Sequence, residues 1–317
     1  MLQITNLTTH YFFGGQVTPA ARGVTLNLPK GSAMAIVGES GSGKSTVAMS
    51  VMRMIRPPIG DIAEGEIRIG GTDVTRATPR QMRELLRTQI GFVPQDPTTA
   101  LDPLYTIRSQ IVEAMPHVER ARRDEVIVEL LTSLGIVDAA ARLKQHPHQF
   151  SGGMRQRVAI AIALAKEPQL LIADEPTTAL DVTTQIGILR LLDRLRRERH
   201  LTTMFITHNI RVARLVCQDV AVMYGGVVVE SGPLTVVADN PSHPYTRALL
   251  DASSLDVGPR QRLRAISGSP PSLTAMPPGC PFAPRCPSAT DLCHQRMPAT
   301  TRRPDGASYA CWNPVTS

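Results

Sequence analysis

The sequence predicts an α/β fold around a mainly parallel sheet, with a helical insertion and a cysteine-rich C-terminal extension. Three observations predict it. Short β-branched runs alternate with amphipathic helical stretches from Leu2 to about Ser231, the pattern of strands joined by crossover helices. A glycine-rich turn follows one of these runs and opens a helical one. Four of the five cysteines, Cys280, Cys286, Cys293 and Cys311, gather near the C-terminal end, with Cys217 standing apart.

Strands are expected at Ala33 to Val37, Ile90 to Val93, Leu170 to Ala173 and Thr203 to Ile206. Between the second and third of these, Thr106 to Leu143 reads as helices. There Val126, Leu130, Leu131 and Leu134 recur at helical spacing and should share one face. Ala221 to Tyr224 and Val227 to Glu230, joined across Gly225-Gly226, read as a hairpin. Asp251 to Gly279 is rich in Ser, Pro and Gly and reads as an irregular connection.

Composition narrows the class. Hydrophobic residues make up 42% and charged residues 19%, which suits a globular chain and not a disordered one. The longest purely apolar stretch, Val158 to Ala165, falls well short of the roughly 20 residues a spanning helix needs. The N-terminus shows no signal-peptide pattern, so a cytosolic chain is expected. A net charge of +7 suits lipid headgroups, nucleic acid or nucleotide phosphates alike, and it comes without a polybasic run. With 4% aromatic residues and no stacking motif, a dedicated nucleic-acid binder is disfavoured.

Gly38-Glu39-Ser40-Gly41-Ser42-Gly43-Lys44-Ser45 matches the P-loop pattern, with the strand Ala33 to Val37 before it and the helical run Thr46 to Ile55 after it. The glycines let backbone N–H groups curl around an anion, and the helix presents its positive end. Lys44 can reach terminal phosphates and the Ser45 hydroxyl can ligate Mg²⁺. Further on, the apolar strand Leu170 to Ala173 runs into Asp174 and Glu175. Adjacent carboxylates at the end of a buried strand are costly unless they have work. Asp174 is read as a Mg²⁺ holder and Glu175 as the group that polarises an attacking water.

Ser151-Gly152-Gly153-Met154-Arg155-Gln156-Arg157, just before the helical run Val158 to Lys166, resembles the signature sequence of ABC ATPases. Its physical sense is a second anion site made of a hydroxyl, glycine N–H groups and a helix N-terminus. The family's other elements follow in order: Gln95 after Gly91-Phe92-Val93-Pro94, Ala179-Leu180-Asp181 after the acidic strand, and His208 after the strand Thr203 to Ile206. Tyr11 lies where the family has an adenine-stacking ring. The chain looks most like the ATPase subunits of bacterial dipeptide, oligopeptide and nickel importers. Gly38-Glu39-Ser40, the signature, Asn240-Pro241-Ser242-His243-Pro244-Tyr245-Thr246 and the cysteine module carry that likeness. Leu101-Asp102-Pro103 departs from the Leu-Asn-Pro often found there, in a loop expected near the membrane partner.

The resemblance implies a P-loop ABC nucleotide-binding domain over 1–250, comprising a mainly parallel sheet core, an antiparallel β subdomain and a helical subdomain at about 100–165. A linker and cysteine module would fill 251–317. It implies ATP and Mg²⁺ as ligands, bound through Tyr11, Gly38, Ser40, Gly41, Ser42, Gly43, Lys44, Ser45, Thr46, Gln95 and Asp174, and through Ser151, Gly152 and Gly153 of a second subunit. Ser45, Gln95 and Asp174 would surround the metal ion. Glu175, His208 and Gln95 would carry hydrolysis, His208 sensing the γ-phosphate and Gln95 coupling it to the membrane partner. The implied partners are an identical or homologous ATPase subunit, two membrane permease subunits and, indirectly, an extracytoplasmic solute-binding protein, with no nucleic acid. The implied location is peripheral, on the cytoplasmic face of the inner membrane. The competing reading is a soluble, non-transport ABC ATPase acting on nucleic acid or ribosomes, which usually carries two motor domains or a long coiled coil; here there is one P-loop and no sustained heptad pattern.

In a reducing cytosol, Cys280, Cys286, Cys293 and Cys311 are expected to bind metal and not to pair. Four thiolates suffice for a [4Fe–4S] cluster or for tetrahedral Zn²⁺. The first three are separated by five and six residues, longer than the roughly two to four common between paired zinc ligands, which tilts the reading towards iron–sulfur. Pro281, Pro284 and Pro287 favour irregular backbone. With Phe282 and Trp312 as its main bulky apolar residues, the segment is expected to be ordered chiefly by its metal.

Overall fold

The structure is a computed structural model, which describes residues 1–177, 180–253 and 266–315. Two compact units emerge: Met1–Leu28 with Ala33–Arg76 and Phe205–Ser317, and Pro29–Ser32 with Ala77–Met204. The strand Thr202–Thr207 carries the chain from the second unit into the first. Among the described residues no helix is long and apolar enough to cross a membrane.

The first unit contains the antiparallel sheet that the resemblance implied. Its strands lie in the order Gln16–Leu28, Leu2–Phe13, Gly60–Ile69, Thr72–Asp73. Leu2 and Ile4 face the core, and simple alternation would next bury Asn6 and Thr8. Leu7 and Thr9 are buried instead, because the register shifts there and Asn6 takes a left-handed φ of 48°. This bulge moves the buried face by one residue, and it hid the strand's period from a sequence reading.

Ala33–Val37 pairs in parallel with Asp219–Tyr224, which turns back through Gly225-Gly226 to pair antiparallel with Val227–Pro233. Both turn glycines have positive φ, 55° and 84°, as a two-residue hairpin turn requires. The hairpin strands run longer than expected. The helix after the phosphate loop spans Lys44–Val51, starting earlier and stopping sooner than the expected Thr46 to Ile55. Its stop coincides with Arg53 at φ 50°, a left-handed exit that the helix cannot continue through.

The C-terminal module joins this unit at several points, among them a strand pairing and an aromatic contact. Ser308–Tyr309 pairs with Val227–Pro233 and with Thr301–Arg302, adding a short antiparallel ribbon. Phe282, 1% exposed, inserts among Tyr224, Tyr245 and His243 at ring-centroid distances of 5.2, 5.3 and 6.0 Å. The module therefore does not depend on a metal alone for its order: it borrows an aromatic core from the strand and helix it packs on.

In the second unit, Ile90–Val93 pairs in parallel with Leu170–Asp174. The stretch Thr106 to Leu143 contains the helices Ile107–Glu113, Arg123–Ser133 and Ala139–Arg142. Its apolar face is Ile127, Leu130, Leu131 and Leu134, while Val126 is only half-buried. Spacing alone could not choose between neighbouring apolar residues. The helix Gly152–Ala165 begins inside the signature motif and not after it, and Val182–Arg199 follows the acidic strand.

Candidate functional site

The phosphate loop in the first unit has the shape of an anion cradle. Gly43 forms the N-cap of Lys44–Val51 with φ 98°, and a Cβ there would lie 2.4 Å from the Ala20 carbonyl oxygen. At Gly38 a Cβ would fall 2.2 Å from the Met223 oxygen and 2.7 Å from Ser42 Oγ. Only glycine fits either position. Gly41, at φ 77°, has nothing within 4 Å of a built Cβ and lies on the open side of the loop, as do the exposed Ser40 and Ser45. Thr46 is buried. Ser42 Oγ is buried with no hydrogen-bond partner among the described residues, a polar group suited to an incoming oxyanion. Lys44, 5% exposed, donates from Nζ to the carbonyls of Gly38 at 2.9 Å and Glu39 at 2.8 Å. Its ammonium is thus held inside the loop, in the position from which it can meet a phosphate.

Glu39 is held from elsewhere in the same unit. Its backbone N–H donates to Tyr245 Oη at 2.8 Å, and its carboxylate accepts from Arg285 at 2.6 and 3.1 Å. Tyr245 belongs to the helix Pro244–Ala252, capped by the His243 side chain, whose Nδ1 accepts from Tyr245 N. The N–H groups of Ser242 and His243 donate to Glu230, whose carboxyl is shifted up by burial despite these bonds. Glu39 and Tyr245 stood in motifs already singled out from the sequence, although no role followed there. Arg285 gave no signal.

Tyr11 lies near the end of the inner strand Leu2–Phe13, half-buried, with Phe13 stacked on it at 5.9 Å and 24°. A flat ring pair of this kind offers a surface for a planar base. His208 is exposed directly after Thr202–Thr207, and Asn209 caps the short helix that follows by accepting from the N–H groups of Arg211 and Val212.

The second unit holds the acidic pair and the signature. Asp174, 5% exposed, ends the strand Leu170–Asp174. Glu175 then takes a left-handed φ of 44°, which turns the chain out of the strand, and its Oε2 accepts from Gln95 Nε2 at 3.3 Å. The structure thus brings Gln95 and Glu175 together. A non-glycine residue in this backbone region costs on the order of 1 kcal/mol, a strain typical of functional positions.

Ser151 is the N-cap of Gly152–Ala165, and its Oγ accepts from Met154 N at 3.3 Å. Ser151 and Gly152 are exposed, so the helix terminus is open to an anion. Gly153 packs closer, where a Cβ would meet Thr184 at 3.1 Å. Asp181 caps Val182–Arg199 by accepting from Thr184 N, and this bond shifts its carboxyl down. Ala179, the first residue of the expected Ala179-Leu180-Asp181 element, lies outside the described residues. So does the 254–265 part of the expected Asp251 to Gly279 connection.

Cys280, Cys286, Cys293 and Cys311 all line one cavity of about 10 Å³, room for roughly one water. None forms a disulfide. Burial shifts the Cys280 and Cys286 thiols up and pushes Cys311 up to about 11, so these groups hold their protons at neutral pH. Cys293 Sγ has Thr290 Oγ1 at 3.4 Å and Asn313 Nδ2 at 3.6 Å as hydrogen-bonding neighbours. The donor set suits a Cys₄ site. Against the expectation, however, no group of three or more His, Cys, Asp or Glu among the described residues is already arranged to hold a metal ion. The cavity is too small for a multi-iron core unless the thiols spread.

Comparison with known proteins agrees with this geometry. A family model described as ABC transporter matches residues 21–178, and one described as the C-terminal region of oligopeptide/dipeptide transporters matches 229–293. The chain is 42% identical over 317 residues to the dipeptide transport ATP-binding protein DppD of Bacillus subtilis, covering 98% of this chain and 94% of that one. It is 42% identical over 316 residues to the probable peptide ABC transporter ATP-binding protein y4tR of Sinorhizobium fredii, with the same coverage. Against DppD of Escherichia coli the identity is 38% over 320 residues, covering 99% and 97%. Among solved structures, the dimeric bacterial ABC transporter cassette MJ0796 matches with a TM-score of 0.65 and 31% identity, over 74% of this chain and 99% of that one. A phosphate loop built for an anion, a serine-capped signature helix and these full-length likenesses together make the chain a member of the family of ABC transporter ATP-binding subunits, in its oligopeptide/dipeptide group.

Proposed function

We propose that this chain is the ATP-hydrolysing subunit of a bacterial peptide importer, or of an importer of a related solute such as nickel, working peripherally at the cytoplasmic face of the membrane. The observation that carries the reading is the co-occurrence, in one chain, of two anion-ready helix termini, at Lys44 and at Ser151, with a C-terminal region of the oligopeptide/dipeptide type. Lys44 takes the terminal phosphates, the loop glycines with Ser40, Ser42 and Thr46 shape the cradle, and Tyr11 stacks on adenine. Ser45, Asp174 and Gln95 hold Mg²⁺, which when bound neutralises phosphate charge. Glu175 orients and polarises the attacking water, with Gln95 on its carboxylate, and His208 senses the γ-phosphate. Ser151, Gly152 and Gly153 serve the ATP of a second ATPase subunit, identical or homologous. Two permease subunits receive the motion, and an extracytoplasmic binding protein supplies the solute.

Replacing Glu175 by Gln should leave MgATP binding intact while turnover falls by orders of magnitude, because its carboxylate acts mainly in the transition state. Lys44→Ala should lose binding itself. Parental turnover in the Glu175→Gln assembly would overturn the assignment.

Cys280, Cys286, Cys293 and Cys311 are proposed to hold an iron–sulfur cluster, with a single zinc ion as the alternative. Four unpaired thiols lining one cavity support the donor set, while the small cavity suits the single ion better. Either occupant would stabilise the module and take no part in phosphate chemistry. Anaerobic purification should yield coloured protein with iron and sulfide, lost in Cys286→Ser. Colourless protein with one zinc per chain selects the alternative, and metal-free protein with an ordered C-terminus removes both.

A further inference from the structure

We infer that Arg285, on the C-terminal module, is a positioning residue for ATP binding: it grips and neutralises the carboxylate of Glu39, the second residue of the phosphate loop. A carboxylate in a loop that receives a polyphosphate is a liability, since like charges repel and the loop excludes some of the water that would screen them. Arg285 meets that liability with a bidentate pair, Nη1 to Oε2 at 2.6 Å and Nη2 to Oε1 at 3.1 Å. The pair is not a surface contact, because the Arg285 side chain is 4% exposed and that of Glu39 25%.

The guanidinium is fixed by further bonds. It donates to Tyr224 Oη at 2.9 Å and to the carbonyls of Ile266 at 3.1 Å and Ser267 at 2.8 Å. Its own position comes from the turn Ala283–Arg285, whose backbone bonds run from Ala283 N to Cys280 O and from Cys286 N to Ala283 O. A residue remote in sequence from the nucleotide motifs thus controls the charge of the loop. The inference rests on the P-loop as the ATP site.

Equilibrium binding of MgATP by the full chain, carried on the Glu175→Gln background, tests it. Arg285→Met should weaken binding tenfold or more by leaving Glu39 unpaired. Adding Glu39→Gln should bring it back to within threefold, because the charge that needed neutralising is gone. An anchor that served only to hold the module would behave otherwise: the double variant lacks the same guanidinium and would stay as weak as the single one. Equal weakness of the two, or an unchanged Arg285→Met, overturns the inference. Arg285→Lys, which keeps the charge and disturbs packing least, should remain within threefold of the parent, and tenfold weakening there overturns it as well. Absence of MgATP binding in the parental chain, with no difference from Lys44→Ala, would instead remove the ATP site itself.

Discussion

Replacing Phe282 by Ala is the direct measure of how the C-terminal module is held. The ring is 1% exposed and touches Tyr224 nearly edge-on, at 5.2 Å and 83°, as well as Tyr245 at 5.3 Å. Truncating a buried Phe to Ala costs about 3–5 kcal/mol, the lost transfer energy plus the cavity left behind. The two neighbouring tyrosines cannot close that cavity freely: Tyr245 Oη is held by Glu39 N–H and Tyr224 Oη by Arg285. The cost should therefore fall towards the upper part of the range. The ring is the module's buried apolar anchor beside the Arg285–Glu39 pair, the Arg303 bonds to Asn240 and Ser242 and a two-residue strand pairing, so its loss should appear as local opening of the module and not as global unfolding. Cys280 and Cys293, each 7% exposed, report on that opening. In metal-free chain their alkylation rates, followed peptide by peptide by mass spectrometry, should rise by on the order of 10³-fold in Phe282→Ala. Buried Cys217, 8% exposed and far from the module in sequence, should keep its parental rate. Rates at Cys280 and Cys293 within threefold of the parent would refute the reasoning, since the ring would then contribute little to docking.

Two further outcomes bear on the signature. Ser151→Asp keeps an N-cap acceptor for Met154 N, so thermal stability should stay near parental while ATP turnover collapses from negative charge at an anion site; Ser151→Ala should lose about 1 kcal/mol of stability by denaturant titration. Equal turnover in Ser151→Asp and parent would reduce Ser151 to a cap. If the chain pairs with itself, dimers of one Lys44→Ala chain and one Ser151→Arg chain should retain one working composite site. Loss of all activity in such mixed dimers, with parental mixtures active, would count against sharing across subunits.

Much of the site was legible because its chemistry demands particular residue types at fixed offsets. The P-loop glycines, Lys44 and the Asp174-Glu175 pair each stand at a strand end, and all the strands named in advance exist, with ends within three residues of those expected. The antiparallel sheet was not legible from its residues. Its first two strands carry Thr, Asn and Gly among their apolar residues, and the shift at Asn6 destroys the period-two pattern that identifies a half-buried strand. The surroundings of Glu39 were illegible for a different reason. Contacts among Glu39, Tyr245 and Arg285 join segments far apart in sequence, and no periodicity or local motif encodes such a pairing.

Those contacts also change what the family resemblance means physically. In the sequence, Gly38-Glu39-Ser40, Asn240 to Thr246 and the cysteine module are three separate marks. In the structure they converge on one residue. Glu39 is tethered at its N–H by Tyr245, at its carbonyl by Lys44 and at its carboxylate by Arg285. Tyr245 is itself placed by the His243 cap and the Glu230 carboxylate, and Arg285 by the turn between Cys280 and Cys286. A loop of glycines has many conformations to lose on binding phosphate, and each tether removes some of them before the ligand arrives. A small uncharged residue at position 39 would forgo one tether and escape the repulsion. A glutamate there is advantageous only with a buried cation to meet it, so the acidic loop and the cysteine module form a single physical unit.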